Sequence, residues 1–284
     1  MSQTLDTQDD TLDPERPDIA DEGGLDGALA AKTFLRVKDL GRKSRAIGLR
    51  LRVGDVIVAV DSKPYRGTPA DLTALMSPPE EEEVEPKDSE DLFLEEEPQQ
   101  AEKPKFLLTI NRGGVFFEVF AEGPLGCDLD YVLPEEALGI ATAFGQRKIY
   151  PTQDYIGYEV YRDITRKCSL VDQTPSMLAA VAPPLWLLEN RMIEPLLAVV
   201  SIYGLTFGIN IFLFIATYIL TALYFQRGQL VFKRSYQMFE QRHMWIYLVA
   251  TNPRDAQITC RMLDPKADFD FSLIPPPRPT RKPA

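Results

Sequence analysis

Histidine is almost missing from these 284 residues: His243 is the only one. A zinc protease of the HExxH kind needs two, one helical turn apart. A Ser-His-Asp hydrolase would have to recruit His243 itself, and no GxSxG elbow is present to hold its serine. Cysteine is scarce as well. Cys127, Cys168 and Cys260 lie far apart, are odd in number and form no CxxC pair, which excludes a disulfide framework. The opening MSQTLDTQDD has neither the basic nor the apolar block of a cleaved secretion signal. The expectation is a non-catalytic chain with no metal site and no cofactor.

Charge is the next absence. Residues 195–224, PLLAVVSIYGLTFGINIFLFIATYILTALY, carry no charged side chain, and Asn210 is their one strongly polar interruption. A helix over this stretch would be about 45 Å long, against about 30 Å of bilayer hydrocarbon. The stretch therefore predicts a single transmembrane helix over 195–225, with a juxtamembrane helix at 226–243. Gly204, Gly208 and Asn210 are its candidates for contact with another membrane helix: GLTFG has the small-xxx-small spacing, and a mid-membrane amide seeks a partner. Before it, Met177 to Leu188 is apolar but too short to cross, so 176–194 reads as an interfacial segment with Trp186 near its end.

Orientation signals conflict. Arg227, Lys233, Arg234 and Arg242 follow the span, whereas only Arg191 closely precedes it, which argues for a cytoplasmic C-terminal portion. Unpaired cysteines and the missing signal argue for a cytoplasmic N-terminal portion. The conflict vanishes if the apolar stretch enters and leaves by one face. The reading taken is a single-pass protein of a bacterial inner membrane with its N-terminal domain in the cytoplasm.

The formal net charge of −11 comes from two segments. Residues 80–102 hold twelve acids and one base, and residues 1–26 hold nine acids and one base. Both are poor in apolar side chains, so a disordered tail (1–26) and a disordered insert (78–104) are expected. Residues 27–79 are basic by contrast, ten bases against four acids, so the insert sits beside a positive face that it can screen. An acidic chain of this kind is a poor partner for nucleic acid. The tail at 273–284 is Pro-rich and basic; PPPRPTR matches a polyproline II ligand pattern.

Between these lie ordinary elements. FLRV (34–37) and VIVAV (56–60) read as strands, TPADLTALM (68–76) as a helix capped by Thr68 with Pro69 at its first position. FLLTI (106–110) and VFFEVF (115–120) flank Asn111-Arg112-Gly113-Gly114 as a hairpin. Pro134 to Phe144 predicts a helix closed by Gly145 within a connecting α/β region (126–175), and 155–165 a strand. MWIYLVAT (244–251) and AQITCRML (256–263) around Asn252-Pro253-Arg254-Asp255 predict a β-hairpin with a type I turn.

One ordered set of residues goes further. Ser44-Arg45-Ala46, Gly48-Leu49, Gly54-Asp55-Val56-Ile57, Lys63-Pro64-Tyr65, Asp71-Leu72 and Ile110-Asn111-Arg112-Gly113-Gly114 together resemble a PDZ domain of the bacterial type, over about residues 30–120. The resemblance implies an α+β fold, a partly open β-barrel with short helices, and a groove that takes an extended or C-terminal peptide as an added strand. Carried onto this chain, the groove strand is Thr33, Phe34, Leu35, Arg36 and Val37, and Leu72 and Met76 of the helix line the pocket. The function expected is a membrane-anchored adaptor or scaffold whose partners are other membrane proteins and the lipid bilayer. The alternatives are an accessory subunit of a larger membrane complex and a regulator of a membrane protease.

Overall fold

The computed structural model describes residues 33–77 and 104–277. The acidic tail, the acidic insert and most of the final Pro-rich stretch lie outside the described residues. The architecture is α+β: among the described residues there is one large open sheet and eight α-helices, one of them long and apolar.

In chain order the elements are β1 (Leu35–Asp39), α1 (Arg45–Gly48), β2 (Val56–Val60), β3 (Lys63–Pro64), α2 (Pro69–Met76), β4 (Phe106–Arg112), β5 (Val115–Ala121), β6 (Asp128–Tyr131), α3 (Pro134–Gly145), β7 (Ile156–Arg162), β8 (Lys167–Asp172), α4 (Leu178–Val181), α5 (Pro183–Glu189), α6 (Ile193–Ile209), α7 (Ile211–Phe239), β9 (His243–Ala250), α8 (Pro253–Leu263) and β10 (Asp268–Phe269). The strands lie in the order β10-β8-β7-β9-β5-β4-β2-β1-β6, with β3 beside β2. All pairings are antiparallel except that of β10 with β8.

Local chemistry explains the first half. Thr68 and Asp71 form a reciprocal capping box at the start of α2, with Pro69 behind it. Gly54 adopts φ +95°, the left-handed turn before β2, and Asp55 accepts the Arg52 backbone N–H at 2.7 Å. Asp55 is fully buried and also takes both arms of Arg112, at 2.7 and 2.6 Å, so the Gly54-Asp55 turn is bolted to the β4–β5 hairpin. Leu35, Ile57, Leu72, Met76, Leu108, Ile110 and Phe117 fill the core on one side of the sheet. On the other side Phe34, Val58 and Phe116 pack under Ala137, Ile140 and Phe144 of α3.

The second half departs from expectation in two places. Residues 253–263 form a helix rather than the second arm of a hairpin. Asn252 caps it by accepting the Asp255 N–H at 2.9 Å, Pro253 opens it, and Ala256 and Cys260 face the core one turn apart. The single rod expected over 195–225 is broken. Asn210 sits in extended backbone, φ −163°, between α6 and α7, and caps α7 by accepting the Phe212 N–H at 2.7 Å.

The two apolar helices fold back on each other at Asn210. Tyr203 lies 5.6 Å from Tyr218 and Phe207 5.7 Å from Phe214, ring centre to ring centre. At the base the Tyr236 hydroxyl donates to Glu194 at 2.8 Å. Trp186, expected at a lipid interface, is instead fully buried beneath the hairpin with Leu187, Met192 and Phe225. α7 then continues past the apolar stretch to Phe239 and delivers β9 into the middle of the sheet, paired with β7 from Ile156↔Ala250 to Arg162↔His243.

Candidate functional site

The expected peptide groove is closed in this structure. β1 is paired on both edges: with β2 at Leu35↔Ile57, and with β6 at Leu35↔Tyr131, Arg36↔Asp130 and Val37↔Leu129. The Val132 N–H reaches the Phe34 carbonyl at 2.9 Å, extending the β6 ladder. β6 thus occupies the place an incoming strand would take. Thr33, Phe34, Leu35, Val37, Leu72 and Met76 are all buried, and Arg36 is tied to Glu136 of α3. These seven residues build the core and its seam with β6 rather than line an open surface.

An open site lies elsewhere, where the sheet splits. β5 and β9 pair at one register position, Glu118↔Val249, and diverge beyond it. The wedge between them holds a cleft of about 770 Å³, reached by Phe120 and Glu122 from the β5 side and His243, Met244 and Tyr247 from β9. Arg45, Leu49 and Arg50 close one wall and Arg234 and Met238 of α7 the other. Glu118↔Val249 is the only β5–β9 register pair among the described residues.

The charge of the wall is mostly positive: Arg45, Arg50, Arg234 and Arg242 against Glu122 and Glu159. Three of these arginines are held by the protein. Arg45 donates to the Glu122 carbonyl at 2.6 Å, Arg242 pairs with Glu240 and Asp270, and Arg234 grips Glu159. Glu159 forms the floor. It accepts from Arg234 Nε at 3.0 Å, Gln173 at 2.7 Å and Tyr161 at 3.0 Å. Burial works to raise its pKa, but these hydrogen bonds and the Arg234 charge outweigh burial and hold the carboxyl below the ordinary glutamate range. Burial pushes the Tyr161 phenol up to about 12, so it stays a neutral donor to Glu159.

Arg50 is different. It makes no ion pair among the described residues, and its backbone adopts φ 56° just past the end of α1, where glycine is the residue favoured. An arginine in left-handed backbone costs about 1–2 kcal/mol. Its own carbonyl is taken by Arg112 at 3.0 Å, which locks the bend and aims the side chain along the cleft wall.

Cleft residues come from six separated stretches, and sequence spacing gave no sign that they meet. Of the membrane-contact candidates, Asn210 forms the hairpin corner, while a Cβ on Gly204 or Gly208 would meet open space. Helix Ile211–Phe239 is long and apolar enough to cross a membrane. Among the described residues there is no cluster of three metal-ligating side chains. No family model, no curated protein and no solved structure matches the chain.

Proposed function

We propose that this protein is a membrane-associated adaptor that holds an extended, acid-bearing segment of a partner protein in the cleft between β5 and β9. The observation that carries this reading is the arginine-walled wedge between two diverging strands, where an added strand finds backbone partners and opposite charge together. Arg50 supports it further: it lines the cleft and makes no ion pair among the described residues. The PDZ-like module remains part of the proposal. Its support is the run β1, α1, β2, β3, α2, β4, β5 with the Asp55–Arg112 bolt, and its peptide site moves from β1, which β6 fills, to the β5–β9 wedge.

The test is fluorescence anisotropy of the full chain in detergent with a labelled peptide alternating glutamate and valine. Arg50→Glu weakens binding about tenfold or more, because a desolvated charge contact turns repulsive. Arg50→Gly relieves the left-handed strain, stabilising the fold by up to about 1 kcal/mol while still weakening binding. Wild-type affinity in both variants would remove the cleft from the function.

A second reading, an accessory subunit of a larger membrane complex, has its own support. Gly204 and Gly208 leave bare backbone on the outer side of α6, where a foreign helix can approach closely. Co-purification in mild detergent at fixed stoichiometry, lost in Gly204→Ile, would favour it.

A further inference from the structure

We infer that the α6–α7 hairpin is a monotopic anchor: it enters the bilayer and leaves it by the same face, with its Asn210 corner lodged among acyl chains rather than emerging on the far side. The sheet supplies the first argument. β7 precedes the apolar stretch and β9 follows it, yet the two are neighbours hydrogen-bonded along most of their length. One crossing would put these strands on opposite sides of the membrane. Only an even number of crossings, zero or two, keeps the ladder whole.

Length and polarity choose between zero and two. Residues 195–209 and 211–225 are two charge-free arms of equal length on either side of Asn210. Each is about 22 Å long as a helix, short of the roughly 30 Å hydrocarbon core. The corner itself carries Ile209, Ile211 and Phe212, all exposed, and no charged group to settle in far-side water. Glu194 and Arg227 mark the level at which both arms leave the apolar zone.

The occupant of the surrounding surface is lipid, because the exposed side chains are apolar in every direction. Leu197, Val200, Leu205, Ile215, Ile219 and Leu220 all point outward, with no polar stripe of the kind a protein-covered helix on the surface of a soluble domain carries. Three hydroxyls in the arms bond back onto their own helix backbone, and that of Tyr218 donates to the Val181 carbonyl. Ser201 donates to Leu197 O at 2.7 Å, Thr206 to Ile202 O at 2.9 Å and Thr221 to Thr217 O at 2.7 Å. Such back-bonding removes the need for water, as hydrocarbon demands. Outside the arms, Met177, Val181, Leu185 and Leu188 on and beside α4 and α5 are exposed as a lower apolar collar at the hairpin base.

The test uses the full chain in sealed, oriented membrane vesicles with a membrane-impermeant maleimide. Cys127→Ser removes the half-exposed thiol, while Cys168 and Cys260 are buried. Lys148→Cys reports the region before the hairpin, Arg254→Cys the region after it, and Phe212→Cys and Ile209→Cys the corner. The expected result is that 148 and 254 label from the same side, while 212 and 209 label from neither side until detergent brings them to the level of 148. Labelling of 148 and 254 from opposite sides, labelling of either corner from the far side, or recovery of the chain in the supernatant of a carbonate wash would each overturn the inference. None of these outcomes depends on the cleft, so peptide binding in detergent stands or falls separately.

Discussion

Glu159 and Glu118 are both buried carboxylates beside an arginine, yet their acidities move in opposite directions. Glu118 pairs with Arg147 at 2.6 Å, but burial outweighs that charge and its hydrogen bond and raises its pKa. For Glu159 the balance is reversed, because three side chains donate to it and one of them is charged. The signs give opposite pH profiles. The lowered folded value of Glu159 contributes stability that is present above the ordinary glutamate value near ~4.3 and lost as pH falls through the folded value. The raised value of Glu118 contributes stability present below that ordinary value and lost as pH rises through the folded one. Glu159→Gln therefore costs about 2 kcal/mol near neutral pH, the worth of hydrogen bonds to a charged group, and the penalty fades in acid. Glu118→Gln costs less and gains on the wild type as pH rises. Urea unfolding of both variants across the acid range checks the pair, and parallel profiles would refute the assignment.

Asn210 is the smallest element in the molecule with the largest consequence, since one extended residue turns a membrane-length rod into two folded-back arms. Its carboxamide replaces the backbone partner that the Phe212 N–H lacks at the start of α7. Asn210→Ala is expected to cost about 1 kcal/mol of thermal stability in detergent, the usual worth of an N-cap, with Asn210→Asp or Asn210→Ser retaining most of it. Equal melting of wild type and Asn210→Ala would mean that the aromatic contacts of Tyr203, Phe207, Phe214 and Tyr218 hold the corner without the cap. From sequence, the apolar stretch and its one polar residue were legible but their fold was not, because a kink and a reversal share the same local residues. The helix at 253–263 was misread for a similar reason. Asn-Pro-Arg-Asp opens a type I turn and caps a helix with the same groups, and the Ile and Thr that follow favour strands. β6 was invisible because Asp128, Asp130 and their neighbours have strand meaning only once β1 lies beside them. The Thr68 cap of α2 and the β4–β5 hairpin were legible because their chemistry is local. The groove was expected on β1 because an isolated strand pattern does not say which edges the rest of the chain will fill.

At the scale of the whole molecule, α7 is the rigid link between lipid and cleft. From Phe225, where its apolar arm ends, to Met238 in the cleft wall the helix rises about 20 Å, and the Glu159–Arg234 pair fastens it to the cleft floor. On the proposed reading, a partner segment in the wedge would be held at a fixed height above the bilayer. The acidic stretch 80–102 lies outside the described residues, but its flanks do not. The described residues on both flanks reach the cleft rim: the Met76 carbonyl lies against Gly123, and Lys105 Nζ is 3.8 Å from Glu122. On the proposed reading, the segment of twelve acids and one base between those flanks competes electrostatically with an acidic ligand. Its field opposes the approach of an acidic peptide while leaving a neutral one unaffected. Deleting 80–102 should therefore raise affinity for the glutamate–valine probe on the order of tenfold at low ionic strength. The gain should shrink towards nothing near 1 M salt, where the screening length falls to about 3 Å. A glutamine–valine probe separates charge from bulk. If the deletion strengthens binding of the neutral peptide as much, or if the gain survives high salt, the segment acts by occupying space and the electrostatic account is wrong.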